Sequence, residues 1–85
     1  MKEIEGQVIQ EDIDTSDYND PIDHCIVANA LRRMFPEEKQ IAVGYRTVGI
    51  GKQEYSLDRE SVKQVVEWVN RKSVFPFSFT LTPGG

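Results

Sequence analysis

Apolar and polar positions repeat with two different periods along this chain, and those periods mark out its elements. Ile4, Val8 and Ile9, with polar residues between them, predict a strand over about residues 2–10. Residues 11–23 then carry Glu11, Asp12, Asp14, Asp17, Asp20 and Asp23, with Asn19 and Pro21 as breakers, and read as an acidic surface loop leading into a helix. That helix is expected to begin between Asp20 and Cys25. Its cap is either Asp20, ahead of Pro21, or Asp23. Val27, Ala30, Leu31, Met34 and Phe35 share one broad face, while Arg32 and Arg33 project elsewhere near the C-terminal end, where the helix dipole favours cations. Pro36 stops the helix.

The run Ile41 to Gly51 alternates Ile and Val with glycine and polar residues, which predicts two short strands and a tight turn near Tyr45-Arg46. Glu54 to Leu57 adds a further extended piece. Asp58 then caps a second helix over about 59–72, with Leu57 and Val62 spaced as a hydrophobic staple. Val62, Val65, Val66 and Val69 form its stripe and Trp68 sits beside it. Lys63–Glu67 and Glu67–Arg71 are spaced as i,i+4 pairs on the solvent face. Valines form helices poorly, so packing must hold this one. Finally, Phe75, Phe77, Phe79 and Leu81 fall on one side of a last extended run, followed by a frayed tail over 82–85.

The resulting order is β-α-β-β-α-β. It predicts one α+β domain over residues 1–85, a small, mostly antiparallel sheet with two helices on one face. Without the phenylalanines that sheet lacks bulk, so the last run reads as a core wall first. Pro76 cannot donate to a strand ladder and fits at strand entry or on an edge. If it marks an edge, that edge is where a second subunit would join, giving a homo-oligomer.

Length and charge narrow the function classes. At 85 residues there is room for one core only. No apolar run is long enough for a membrane span, the N-terminus lacks the apolar stretch of a signal peptide, and a cytosolic protein is expected. Cys25 is the only cysteine, so neither an internal disulfide nor a cysteine zinc cluster is expected. A net charge of −4 argues against binding duplex nucleic acid, though it leaves room for a small anion in a local pocket.

Few residue patterns point to chemistry. Asp12, Asp14, Ser16, Tyr18, Asp20 and Asp23 match the ligand spacing of a calcium loop. However, Asp17 stands where that loop needs glycine, and Pro21 disrupts its exit, so no metal is expected. His24 and Cys25 are adjacent and would point about 100° apart on a helix, which does not make a nucleophile–base pair. Gly44, Gly49, Gly51 and Lys52 lack the Gly-Lys-Ser/Thr order of a phosphate loop. Tyr45-Arg46 at the hairpin tip is the more telling pair, since a ring beside a guanidinium can stack on a base and hold a phosphate. Arg32, Arg33 and Lys52 are its candidate companions. No pairing expected of an enzyme or a cofactor site is found, and a non-enzymatic role follows.

Three stretches carry a resemblance: Cys25-Ile26-Val27-Ala28-Asn29-Ala30-Leu31-Arg32-Arg33, Val43-Gly44-Tyr45-Arg46-Thr47-Val48, and Pro76-Phe77-Ser78-Phe79-Thr80-Leu81. In order and spacing the chain resembles a family of small uncharacterised bacteriophage and prophage proteins with a Cys-Pro-Ile-Ala-type helix start and a Pro-Phe-Ser-Phe-type last strand. Ile26 departs from the proline usual there. The resemblance implies a phage accessory role in the host cytosol and carries no activity. Two functions fit it. In the first, the protein blocks a host defence component by direct binding, with Asp12, Asp14, Asp17 and Asp20 as docking residues. In the alternative, an oligomeric sponge sequesters an anionic nucleotide signal on Tyr45, Arg46, Arg32 and Arg33.

Overall fold

Alternation along each strand decides which face of the sheet is covered. In the computed structural model, which describes residues 2–84, the strands are β1 (Ile4–Val8), β2 (Ile41–Val43), β3 (Thr47–Ile50), β4 (Gln53–Leu57) and β5 (Phe77–Pro83). Val8, Ile41, Val43, Val48, Tyr55, Leu57, Phe79 and Leu81 turn to one face and are buried. Glu5, Gln7, Glu54, Ser56 and Ser78 turn to the other and stay in water. The covered face receives α2 (Ile26–Met34) and α3 (Arg59–Val69). The fold is α+β with an antiparallel sheet, as the sequence indicates.

The element order differs from the expected one in two places. Gln53–Leu57 is a full strand, paired with β3 on one side and β5 on the other. The first strand ends at Val8 rather than near residue 10, and Gln10 together with residues 11–14, read as loop, forms a short helix, α1 (Gln10–Asp14). The physical reason lies in Asp12, whose Oδ2 accepts the Ile9 amide at 2.9 Å and closes the first turn. Ile13 then packs against the core from the same short helix.

The start of α2 is also later than either aspartate. Residues 20–24 form a turn of their own, with the His24 amide donating to the Asp20 carbonyl at 2.9 Å. Cys25 is the cap instead, its Sγ accepting from the Ala28 amide at 3.3 Å. Burial pushes the Cys25 thiol above its usual pKa, which keeps it a packing group rather than a nucleophile.

Asp58 caps α3 as expected, and does more. Its carboxylate accepts the Ser61 amide at 3.1 Å, the Ser61 hydroxyl at 2.7 Å and the Thr80 amide at 2.8 Å, so one side chain ties the helix start to β5. Burial alone would raise the Asp58 pKa, but these donors outweigh it and hold it below the ordinary aspartate value. A carboxyl depressed in the folded state contributes stability that is complete above the unfolded pKa, about 3.9. That contribution is lost as pH falls through the lower, folded value. Thermal denaturation from neutral pH downward should therefore show an acid-side fall in Tm that Asp58→Asn flattens. An unchanged acid limb in Asp58→Asn would remove this role.

α3 ends at Val69 rather than near residue 72. Arg71 turns left-handed at φ 62°, its amide donates to the Trp68 carbonyl and the Lys72 amide to the Glu67 carbonyl, both at 2.9 Å. That is the C-terminal motif usually built around glycine. The expected Lys63–Glu67 and Glu67–Arg71 pairs are not made. Lys63 instead approaches Glu60, and the Arg71 guanidinium lies 4.7 Å over the Tyr18 ring. The buried stripe is Ser61, Val65 and Trp68, while Val66 is exposed, so the helix is rotated from the all-valine face. Trp68 is the larger side chain and claims the interior.

The aromatic run divides. Phe79 and Leu81 are buried and Phe77 is partly covered, whereas Phe75 is 76% exposed ahead of the strand. The sheet order is β1-β5-β4-β3-β2, so β5 lies in the interior and Pro76 precedes it instead of marking an edge. The edge-strand assembly surface expected there is therefore corrected. Across from Phe79, a Cβ on Gly6 would lie 2.5 Å from the Phe79 ring and 2.7 Å from Met34 Sδ, so only glycine lets the ring cover β1. The strand also continues through Thr82 and Pro83, which pair with Ser56 and Tyr55. Of the tail expected over 82–85, Gly85 lies outside the described residues.

The true edges are β1 and β2, and both are partly occupied. The Val43 amide donates to the Ile22 carbonyl at 3.1 Å, and Arg32 reaches the Ile41 carbonyl at 3.4 Å. Arg33 donates to the Gln7 carbonyl at 2.8 Å, and Glu5 adds a charge that opposes self-pairing of β1. No helix among the described residues is long and apolar enough to cross a membrane.

Candidate functional site

The β2–β3 turn is tight because the Gly44 amide donates to the Thr47 carbonyl at 2.8 Å. Tyr45 and Arg46 therefore project from its tip, as the spacing predicts. Tyr45 is 56% exposed and Arg46 is exposed. The tip stands beside the uncovered side of α3, and between them runs a trough of three joined hollows.

Its first hollow is apolar and small, about 90 Å³, with Ile22 and Val43 on one side, Val65 and Val69 on the other and Tyr45 at the rim. The second, about 450 Å³, lies between Tyr45 and Arg46 and the α3 residues Val66, Val69 and Asn70. A third, about 440 Å³, brings Arg46 together with Thr47 of β3, Ser56 of β4, and Arg59 and Lys63 of α3. The second and third share Arg46 and Val62, which makes them neighbours. Their size falls in the usual range of small-ligand sites, about 300–1,000 Å³. Ile22, Tyr45 and Val66 are three of the five large apolar side chains exposed among the described residues, so this side of the molecule is where apolar surface gathers.

The cationic end is electrostatically uncommitted. Among the described residues no carboxylate lies within ion-pair reach of Arg46 or Arg59. Lys63 meets Glu60 at 3.8 Å with both side chains mostly in water, a pair of little strength. Three cations thus converge on one cleft of a chain whose net charge is −4. Arg59 and Lys63 were not singled out by the sequence. Their spacing on α3 is visible there, but their meeting with Arg46 depends on how the helix packs beside the hairpin.

The other expected companions are elsewhere. Lys52 is at the opposite end of β3 from Tyr45-Arg46, in the turn to β4. Arg32 donates to the carbonyls of Asp23 and Ile41 and lies 3.7 Å from the Asp23 carboxylate, which makes it a tie between the loop and β2. Arg33 grips Asp12 with two donors, Nη2 at 3.0 Å and Nε at 3.3 Å. Both arginines hold the fold together.

The acidic set is also redistributed. Asp12 is buried at 3% exposure under Arg33, so it can neither dock a partner nor begin a calcium loop. Asp14 accepts from Gln10 Nε2, Asp17 from the Asn19 amide, and Asp20 bonds His24 Nδ1 at 2.9 Å. That hydrogen bond from His24 holds the Asp20 carboxyl below its ordinary pKa. The acids shape their own loop. Tyr18 pins that loop by stacking on Trp68 with ring centres 4.8 Å apart. In comparisons with known proteins, no family model, no curated protein and no solved structure matched this chain.

Proposed function

We propose that this protein is a non-enzymatic binding protein that sequesters a small anionic nucleotide on the trough beside Tyr45 and Arg46. The observation that carries the reading is the placement of an exposed ring and uncommitted guanidinium groups along one continuous trough. A base needs an aromatic or apolar platform and a phosphate needs cations, and the trough offers both within one subunit. The sequence resemblance supplies the setting, a phage or prophage accessory factor that withdraws a signal from host defence in the cytosol. Homo-oligomerisation would multiply the sites without being needed to build one.

Direct blocking of a host protein rests on a weaker base, because Asp12 is buried and Asp14, Asp17 and Asp20 bond within their own segments. The apolar hollow between Ile22 and Tyr45 is the feature that favours it.

Equilibrium dialysis against linear and cyclic nucleotides separates the two. Retention by the wild-type protein is expected, with Arg46→Ala weakening it about ten- to a hundredfold, the size of a lost hydrogen bond to a charged group. Tyr45→Ala should weaken it about two- to tenfold through lost stacking. Equal retention by wild type and Arg46→Ala would count against the site.

A further inference from the structure

The third hollow differs from the rest of the trough in chemistry. Its walls bring Arg46 from the hairpin tip together with Arg59 and Lys63 from α3, beside the paired residues Thr47 and Ser56 of β3 and β4. From this geometry we infer a dedicated phosphate subsite formed by Arg46, Arg59 and Lys63, and a ligand that carries its negative charge as two or more phosphoryl groups. The inference deepens the nucleotide-binding function proposed above and rests on it.

Two features point to phosphate rather than to an isolated carboxylate. Arginine presents a planar fork of donors that suits tetrahedral phosphate oxygens, and two such forks face one cleft here. A single phosphate of charge near −2 would leave part of three cations uncompensated, and a second phosphoryl group matches them. Arg46 also lines the neighbouring hollow with Tyr45, Val66 and Asn70, so a base attached to the phosphates has a place to lie. Glu60, the one carboxylate paired to this cluster among the described residues, touches only Lys63 and is 81% exposed, so a ligand can displace it.

The test is an amide-resolved NMR titration of the full chain with three probes: inorganic pyrophosphate, adenosine and adenosine diphosphate. Pyrophosphate should shift the amides of Thr47, Ser56, Arg59 and Lys63, adenosine those of Tyr45, Val66 and Asn70, and the diphosphate both groups. Pyrophosphate affinity should fall about tenfold or more in the Arg59→Ala, Lys63→Ala double variant and stay unchanged in Lys52→Ala. These residues are exposed, so the double variant should keep the wild-type fold, as its remaining amide shifts would report. Adenosine and the diphosphate both shifting only Tyr45, Val66 and Asn70 would overturn the phosphate subsite and leave the nucleotide function standing. Silence toward all three probes would overturn both. Pyrophosphate shifts that centre on Lys52 or Lys39 would also refute the assigned place.

Discussion

Trp68→Ala should lower the unfolding free energy by about 3–5 kcal/mol, enough to bring this domain close to unfolding at ambient temperature. Trp68 is the largest fully buried side chain, at 1% exposure, and α3 is held by packing rather than by the propensity of its valines. Its loss would open a large cavity beneath α3 and also release the acidic loop. That loop depends on the tryptophan twice, through the Tyr18 stack and through Nε1, which donates to Ser16 Oγ at 2.8 Å. For a domain of this size each kcal/mol moves Tm by about 4–8 °C, so a fall of about 15–30 °C is expected in a thermal melt. Trp68→Phe keeps much of the volume and loses the donor, and should cost about 1–2 kcal/mol. A Trp68→Ala melt within a few degrees of wild type would show that α3 does not depend on this anchor.

Arg33→Ala should cost about 2–3 kcal/mol, because it leaves the Asp12 carboxylate buried without its bidentate partner. Full burial of both ions would place the loss higher, at about 3–5 kcal/mol, but the Arg33 side chain is 39% exposed and water can replace part of the contact. Asp12→Ala removes the buried charge and instead frees the Ile9 amide that starts α1, and should cost about 2 kcal/mol. The double variant should lose less than the sum of the two, by about 1 kcal/mol or more, since no orphaned charge remains. Chemical denaturation of the four proteins measures this cycle. Strict additivity would mean that the Arg33–Asp12 contact contributes nothing of its own.

Much of the fold could be read because local signals and burial agreed. Asp58 as a cap, the hairpin at Tyr45-Arg46 and the inward turn of Phe79 and Leu81 each follow from a residue's own geometry. What stayed hidden depends on partners far along the chain. Asp12 looks like one acid among six until Arg33, twenty-one residues on, covers it. Cys25 becomes a cap only because residues 20–24 spend their hydrogen bonds on a turn of their own. Pro76, which cannot donate to a ladder, fitted strand entry or an edge alike, and only the strand order, with β5 in the interior, selects entry.

The candidate site divides in the same way. Tyr45 and Arg46 are neighbours in sequence, so their joint exposure at a tight turn could be anticipated. Arg32 and Arg33 belong to the same helix turn and looked like equal companions, but each found a buried or backbone partner. Lys63 read as part of a solvent-facing pair, and Arg59 carried no signal of its own. Only the packing of α3 beside the β2–β3 hairpin turns them toward Arg46.

The central claim, capture of an anionic nucleotide on the trough, is tested most directly by calorimetric titration of the wild-type protein with a panel of linear and cyclic nucleotides. Each titration is run at about 0.05 M and about 0.5 M ionic strength, on either side of the range where exposed charges become screened. A saturable heat with at least one nucleotide is expected, and its affinity should fall about tenfold or more at the higher salt because the phosphate contacts are solvent-exposed. No heat across the whole panel, or binding that ignores salt, would contradict it.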